Sequence, residues 1–281
     1  MISVLVPTRN EEQDLPGCLR SVAWSDDVHV YDSYSDDQTT TIAEQFGARI
    51  IRRPDQLRNL PFGGNEAEHR NWALQHISFR HPWVFHLDAD ERVTPALRAQ
   101  LTAVAADPGA RAAFRVQRRD FLFGTWLRHA QASPYYIRLF RPEHTRYERL
   151  INPLTLVDGT VGQVEGYLDH FPFSKGIAHW VTKHNHYSTL EALEIAASRG
   201  ARTRDGLWRA LWSGDFHVRR AAQKELFYRL PARPLLKFLL LYFVKRGFLD
   251  GRAGLTYARM QSIYEYLIVL KTRELAAARS P

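Results

Sequence analysis

The first hundred residues alternate between short apolar runs and helix-like stretches, and this alternation limits the fold more than any other feature. The apolar runs occupy residues 2–6, 27–31, 48–51 and 83–87. Stretches with helical spacing separate them, at 11–22, 39–46 and 65–77. The run Trp83–Leu87 is almost uninterrupted, as expected for a parallel strand that is buried on both faces. The repeated order of strand and helix predicts an α/β fold with a doubly wound sheet.

The rest of the chain has a different pattern. Thr94 followed by Pro95 predicts the start of another helix, as N-cap and first helical position. Further short strands are expected at 112–116, 137–140, 161–164 and 167–168. From Ile177 to about Arg279 the spacing is helical, with breaks expected near residue 214, over 231–234 and over 247–254. We therefore expect one domain over residues 1–175 and a helical region over residues 176–281.

The positive charge is concentrated in the last part of the chain. The net charge is +8, yet residues 1–174 carry 19 Lys and Arg against 22 Asp and Glu, a net charge of −3. Residues 175–281 carry 19 against 8, a net charge of +11. This excess indicates an acidic partner, which is a nucleic acid, an anionic lipid or a phosphorylated substrate. Because no nucleic-acid-binding motif accompanies the charge, we expect no nucleic-acid partner.

The segment from Arg233 to Leu249 places basic residues beside an apolar, aromatic helix. This combination is typical of helices that lie on an anionic membrane surface, although a buried core helix would carry the same apolar residues. The longest apolar run, Leu235–Val244, has ten residues and contains Lys237. A membrane-spanning helix needs about 20. The sequence therefore predicts a peripheral protein rather than an integral one.

Cysteine content and the last helix bear on location and assembly. The single cysteine, Cys18, excludes an internal disulfide and fits a reducing compartment. We therefore expect a cytoplasmic protein at the inner face of the cytoplasmic membrane. Apolar side chains recur along one face of the predicted last helix, at Ile263, Tyr266, Leu267 and Leu270. They either pair with a second copy in a homodimer or pack on their own chain.

Polar clusters follow three of the predicted strands, at residues 8–11, 32–37 and 88–91. Because ligands of open α/β sheets bind at the carboxyl ends of the strands, these clusters are expected to form one site. Asp88 and Asp90, two residues apart, can share a hard divalent cation such as Mg²⁺ or Mn²⁺ that keeps positions open for substrate phosphates. Alternatively, they cap the next turn. No dinucleotide-binding, P-loop, hydrolase-elbow or zinc-site motif is present in the sequence.

Four motifs in order carry a family resemblance: Val4–Glu12, Asp32–Asp36, Arg70–Leu74 and Leu87–Glu91. With them the chain resembles the family 2 glycosyltransferases. Later segments are similar to a bacterial subgroup that builds lipopolysaccharide core and exopolysaccharide repeat units: 119–121, 124–126, 138–141, 158–159, 183–188 and 248–251. The resemblance implies a GT-A fold, an α/β fold whose doubly wound mixed sheet is followed by a helical C-terminal extension.

The resemblance also implies roles for individual residues. The nucleotide-sugar pocket would be formed by Pro7, Thr8, Glu11, Asp32, Asp36, Arg70 and Asp88. Asp90 would ligate Mg²⁺ or Mn²⁺, with His170 as a further ligand. The cation would offset charge that grows on the leaving nucleoside diphosphate.

The catalytic base is where the chain departs from the family. An inverting enzyme needs a carboxylate to take the proton of the acceptor hydroxyl. Related members carry a Glu where this chain has Pro153, which cannot act as a base. The nearest candidates are Asp120 and, second, Glu148, and each could instead form an ordinary salt bridge with a neighbouring arginine.

Taken together, the resemblance implies an inverting, metal-dependent glycosyltransferase. The donor would be a nucleotide-diphosphate sugar, with a UDP-sugar expected, and the acceptor a lipid-linked or oligosaccharide cell-surface glycan. The helical region would contact the acceptor or an anionic membrane surface. Two alternatives stay open. One is transfer to a polyprenyl phosphate, whose own phosphate needs no base, and the other is a non-catalytic subunit of a glycan-assembly complex.

Overall fold

The computed structural model describes residues 1–57, 66–131, 134–148, 153–198, 212, 222, 226–228, 230 and 232–278. The chain forms two compact units. The sheet unit contains residues 1–121 and 133–174, and the helical unit contains residues 122–132 and 175–281. The predicted break near residue 214 lies outside the described residues.

The elements up to the fourth helix are β1 (Ser3–Thr8), α1 (Leu15–Ser21), β2 (Val28–Asp32), α2 (Thr39–Gln45), β3 (Arg49–Arg52), α3 (Glu66–His76), β4 (Val84–His86), β5 (Glu91–Val93) and α4 (Pro95–Ala106). The strands that follow are β6 (Arg111–Leu122), β7 (Thr125–Trp126), β8 (Tyr135–Phe140), β9 (Thr145–Glu148), β10 (Leu154–Val157) and β11 (Thr160–His170). The last helices are α5 (Gly176–Ser198), α6 (Arg233–Leu239) and α7 (Gly251–Ala277). Between α6 and α7 lie a π-helical turn, Leu240–Val244, and a 3₁₀ turn, Gly247–Asp250.

The sheet unit is built on a mixed sheet with the strand order β3-β2-β1-β4-β8-β6-β11-β5. The four strands β3, β2, β1 and β4 are parallel. β8 is antiparallel to both of its neighbours, β4 and β6. β11 is parallel to β6, and β5 is antiparallel to β11. The predicted α/β fold with a mixed sheet and C-terminal helices is confirmed.

The apolar residues of the central strands explain why this sheet forms. Val4 and Val6 on β1 and Phe85 on β4 are fully buried, and Leu97 and Leu101 of α4 pack in the same cluster. A buried side chain of this size contributes about 1.5–3 kcal/mol relative to an exposed one. The predicted helix start at Thr94 is confirmed, because its hydroxyl accepts a hydrogen bond from the Leu97 N–H at 3.2 Å.

Some boundaries differ from the sequence-based expectation. The first helix begins at Leu15 and not at Glu11, because the Glu11 carbonyl closes a turn by accepting the N–H groups of Asp14 and Leu15. The two predicted strand pieces between 161 and 168 form one strand, β11, with a register shift near Gly166 at φ +97°. The break expected over 247–254 ends at Asp250, since α7 already begins at Gly251.

In the helical unit, α7 packs against both α5 and α6. Ala258 and Ile268 are among the residues that α7 buries. Among the residues that the structure describes, no helix is both long enough and apolar enough to cross a bilayer.

Candidate active site

The carboxyl ends of β1, β2 and β4 meet at one edge of the sheet, because these strands are parallel neighbours. Thr8 ends β1, Asp32 ends β2, and Asp88 to Glu91 follow β4. The structure thus brings the three predicted polar clusters to the same edge, as expected for a ligand site in an α/β sheet.

Asp32 organises the loop after β2. Its carboxylate accepts hydrogen bonds from the Thr8 hydroxyl at 3.0 Å, the Ser35 hydroxyl at 2.5 Å and the Ser35 N–H at 2.9 Å. The side chain is buried, so these bonds replace the water it has lost. Asp32 therefore fixes the loop against the end of β1.

The other residues predicted for the nucleotide pocket lie around this loop. Pro7 is half-buried on β1, and Asp36 is exposed and donates its N–H to the Asn10 side chain at 3.1 Å. Glu11 is half-buried and donates its N–H to the Thr39 hydroxyl at 2.7 Å.

Asp88 and Glu91 share the guanidinium of Arg138, which reaches them from β8. Its Nη2 atom lies 2.8 Å from Asp88 Oδ2 and 2.5 Å from Glu91 Oε1. Glu91 is fully buried and also accepts the Asp88 N–H at 3.0 Å. Arg138 therefore holds the turn after β4 in one conformation.

This arrangement separates the acidities of the two carboxyl groups. Burial opposes ionisation of Asp88, yet the Arg138 and Arg70 guanidiniums hold the pKa of its carboxyl well below the usual value. Burial raises the pKa of the Glu91 carboxyl to about 7, against the opposing effect of Arg138. The Asp88 carboxyl is therefore the more acidic of the two.

Arg70 brings a second cation to the edge. Its Nη1 atom lies 3.1 Å from His86 Nδ1, and its Nη2 atom lies 4.0 Å from Asp88 Oδ1. The guanidinium also lies over the ring of Tyr147, 5.4 Å from the centroid. Burial and the nearby Arg70 lower the pKa of the His86 imidazole well below its usual value, so His86 is neutral and leaves Arg70 as the cation.

Asp90, His170 and Asp120 form a row of three bonded side chains. His170 Nδ1 donates to Asp120 Oδ1 at 2.6 Å, and His170 Nε2 lies 3.2 Å from Asp90 Oδ2. The register of the parallel pair β6 and β11 places His170 directly opposite Asp120. Burial disfavours the imidazolium, but Asp90 and Asp120 together raise the pKa of His170 to about 9.

Asp90 and His170 offer ligands for a divalent cation, which would displace the proton from His170 Nε2 on binding. Carboxylate oxygen and imidazole nitrogen both serve as ligands for Mn²⁺, and Mg²⁺ prefers the oxygen. The Asp90 side chain is 29% exposed and so can reach a bound ligand. Asp120 on the far nitrogen gives His170 the carboxylate partner that metal-binding histidines usually have. Within the described ranges no three His, Cys, Asp or Glu side chains are grouped as a complete metal site, so phosphate and water would fill the other positions.

The two candidate bases differ in their surroundings. Asp120 is 5% exposed, and Arg118 Nε lies 2.9 Å from its Oδ1 atom. Glu148 lies on β9 with its side chain 56% exposed, 3.5 Å from Arg146 Nε. Pro153 precedes β10, which pairs with β9. The geometry favours Asp120 as the group that orients His170.

The structure adds residues to which the sequence assigned no role. Arg138 belongs to the segment 138–141 that carried part of the resemblance, and an arginine on an otherwise apolar strand signals a buried ionic partner. Glu91 follows the Asp-x-Asp pair directly, but its complete burial depends on contacts distant in sequence. No local signal identifies Tyr147, whose hydroxyl lies 3.1 Å from His86 Nδ1.

A comparison with known protein families identifies the family of this chain. The profile described as Glycosyl transferase family 2 matches residues 3–165, which include the ends of β1, β2 and β4 with their polar clusters. The chain belongs to glycosyl transferase family 2. Its mixed sheet is of the GT-A type, and the protein is a glycosyltransferase. His170 lies five residues beyond the matched range.

Relatives of this family 2 glycosyltransferase extend over the full chain. It is 28% identical to the lipopolysaccharide core biosynthesis glycosyltransferase LpsC of Rhizobium meliloti, over 99% of this chain and 94% of that protein. It is 23% identical to an uncharacterized glycosyltransferase of Rickettsia typhi, over 98% of this chain and 87% of that protein. Glucosyl-3-phosphoglycerate synthase of Mycobacterium tuberculosis, solved with Mn²⁺ and UDP-glucose, has 25% identity and a TM-score of 0.36. That match covers 42% of this chain and 44% of the other.

Proposed function

We propose that this glycosyltransferase moves a sugar from a UDP-sugar to a lipid-linked glycan acceptor during assembly of lipopolysaccharide core. The observation that carries the proposal is the row Asp90–His170–Asp120 beside Asp88 at the sheet edge of a family 2 enzyme. The full-length similarity to LpsC supports the choice of acceptor. We further propose that the reaction inverts the anomeric carbon in a single displacement.

The residues at this edge of the sheet would contact different parts of the donor. The Arg70 guanidinium would lie next to the diphosphate, and the loop held by Asp32 would bind the nucleoside. Asp90 and His170 would hold Mg²⁺ or Mn²⁺, which when bound neutralises charge on the leaving nucleoside diphosphate. Asp120 is a positioning residue in this scheme, because its bond to Nδ1 turns Nε2 of His170 toward Asp90.

A second acceptor class is favoured by one observation. Asp120 is bonded to His170 and Arg118, and Glu148 is exposed beside Arg146. Position 153, where the resemblance places the catalytic carboxylate, holds a proline. A polyprenyl phosphate needs no base, because its phosphate oxygen is already an anion at neutral pH. We propose it as the alternative acceptor.

Calorimetric titration of UDP, with and without Mn²⁺, tests the donor and the metal together. We expect binding that depends on Mn²⁺ and is lost in Asp90→Ala. The matched control is Asp107→Ala, which removes an exposed carboxylate at the end of α4. Equal UDP binding in Asp90→Ala would refute the metal site. No binding of UDP together with clear binding of GDP would refute the choice of donor.

Product analysis then separates the two acceptors. The enzyme is incubated with a radiolabelled UDP-sugar and either lipid-linked core oligosaccharide or polyprenyl phosphate. Transfer to the oligosaccharide alone supports the main proposal, and transfer to the polyprenyl phosphate alone replaces it with the alternative.

A further inference from the structure

The connection between α6 and α7 exposes an apolar face. Six apolar residues that lie within eleven positions of the chain have exposed side chains there: Leu239, Leu240, Phe243, Val244, Phe248 and Leu249. Phe243 is 55% exposed and Val244 72%. Tyr242 joins the two turns, since its ring lies 5.1 Å from that of Phe243 and 6.2 Å from that of Phe248. These six residues are here called the apolar face.

The helical unit does not need the apolar face for its own packing. α6 is held on α7 by the buried ion pair of Arg233 Nε with Glu265 Oε1 at 3.3 Å. The Ser262 hydroxyl donates to the Pro234 carbonyl at 2.7 Å. Leu241 is the residue of the π-helical turn that points inward and is buried. The segment thus packs on the helical unit through its inner side and exposes apolar side chains on its outer side.

The two turns that carry the apolar face are fixed in place. Asp250 accepts the N–H groups of His129 at 2.9 Å and Ala130 at 2.7 Å. A Cβ atom at Gly247 would lie 2.6 Å from the Leu241 carbonyl oxygen, so the chain there tolerates only glycine. The face is therefore preorganised, and binding through it costs little conformational entropy.

The segment that carries the apolar face, with the residues just before it, is rich in cations. Residues 226–249 contain five Lys and Arg and no Asp or Glu. In the described part of the chain, Lys245 and Arg246 are exposed and have no carboxylate within ion-pair distance. Although the Lys245 side chain is exposed, partial desolvation of its ammonium group and, second, repulsion by Lys237 lower its pKa. An anion that approached these cations would relieve this repulsion.

We propose that the apolar face, with Lys237, Lys245 and Arg246, binds the surface of an anionic phospholipid membrane. Exposed apolar side chains flanked by cations are the pattern of an interfacial anchor. A second copy fits less well, because a two-fold interface through this face would bring the like charges of both copies together. The purpose of this membrane binding rests on the proposed function, since a lipid-linked acceptor lies at a membrane.

Vesicle flotation of the full chain tests the proposal without donor or acceptor. The vesicles consist of phosphatidylcholine with or without phosphatidylglycerol. We expect flotation with phosphatidylglycerol that weakens at high salt. Lys245→Gln with Arg246→Gln is expected to lower the partition coefficient about 30-fold, or about fivefold per charge. Phe243→Ser with Val244→Ser is expected to lower it at least about tenfold.

Matched controls replace exposed residues of the sheet unit, Phe46→Ser for the apolar change and Arg49→Gln for the charge. Both are expected to float like the wild type, and circular dichroism verifies that each variant is folded. Absence of wild-type flotation, or unchanged flotation of both double variants, overturns the proposal. A wild-type dimer in sedimentation equilibrium that Phe243→Ser with Val244→Ser dissociates, without flotation, would assign the face to a second copy. Flotation without any sugar transfer would refute the proposed function alone.

Discussion

Replacement of Arg138 by methionine removes the cation shared by Asp88 and Glu91 while roughly keeping the side-chain volume. The guanidinium lies 2.8 Å from one carboxylate and 2.5 Å from the other, and its side chain is almost fully buried. Removal of one partner from a buried ion pair costs about 3–5 kcal/mol. The free energy of unfolding of a typical domain is about 5–15 kcal/mol. Arg138→Met is therefore expected to lose a large part of the total stability.

The loss of free energy of unfolding in Arg138→Met should depend on pH. Burial already raises the pKa of Glu91 to about 7, and Arg138 is the main group that opposes this rise. Without Arg138 the folded-state pKa of Glu91 climbs further. A group whose pKa is raised on folding contributes stability below its unfolded pKa and loses it as the pH rises through its folded pKa. The variant should therefore lose more stability relative to wild type at about pH 8.5 than at about pH 6.

Urea denaturation of the metal-free protein at both pH values measures this effect. The control Arg115→Met removes an exposed arginine from β6 and should change the free energy of unfolding by less than about 0.5 kcal/mol. Combining Arg138→Met with Glu91→Gln should recover part of the loss, because the buried charge is then gone as well. A cost below about 1 kcal/mol at both pH values would refute the reasoning, since Arg138 would then not be the required partner of Glu91.

Three further predictions follow from the same edge of the sheet. Asp120→Asn should weaken Mn²⁺ binding in the presence of UDP by about 10–100-fold, measured by calorimetry. Unchanged metal affinity with a lost turnover number would instead make Asp120 the base. In EDTA, wild type should exceed His170→Gln in stability below about pH 6.5, and this advantage, up to about 3 kcal/mol, should disappear as the pH rises through about 9. Thermal melts across this range check it, and a constant difference contradicts it. Asp32→Asn should cost about 1–3 kcal/mol in urea unfolding, because its amide presents a donor where Thr8 and Ser35 donate. An unchanged midpoint would show that the loop does not depend on this carboxylate.

The sequence predicts the parallel half of the sheet well, because its signals are local. An uninterrupted run such as Trp83–Leu87 indicates a buried strand wherever it lies in the chain. Asp32 and Asp88 follow such strands, and parallel neighbours bring them to one edge without further information. Thr94 with Pro95 fixes a helix start for an equally local reason.

The rest of the site depends on pairings distant in sequence. Asp120 and His170 are 50 residues apart and meet only because β6 and β11 are parallel neighbours. Arg138 reaches Asp88 from β8, a strand whose insertion between β4 and β6 no local pattern predicts. The exposure of Phe243 and Val244 was equally hidden, since a core helix would show the same apolar run.

The register shift in β11 has a consequence for how this site can change. Strand side chains alternate between faces, so a one-residue slip would turn His170 away from Asp90. Gly166 at φ +97° lies where the pairing of β11 with β6 shifts, and a Cβ there would be 3.0 Å from the backbone of Leu97. The register shift at this point fixes the pairing of the residues that follow, including that of His170 with Asp120. An insertion or deletion between residues 158 and 165 can be compensated there by a larger or smaller bulge, while the last residues of the strand keep their pairing. The length of the segment before Gly166 can thereby vary, whereas the position of His170 opposite Asp120 cannot.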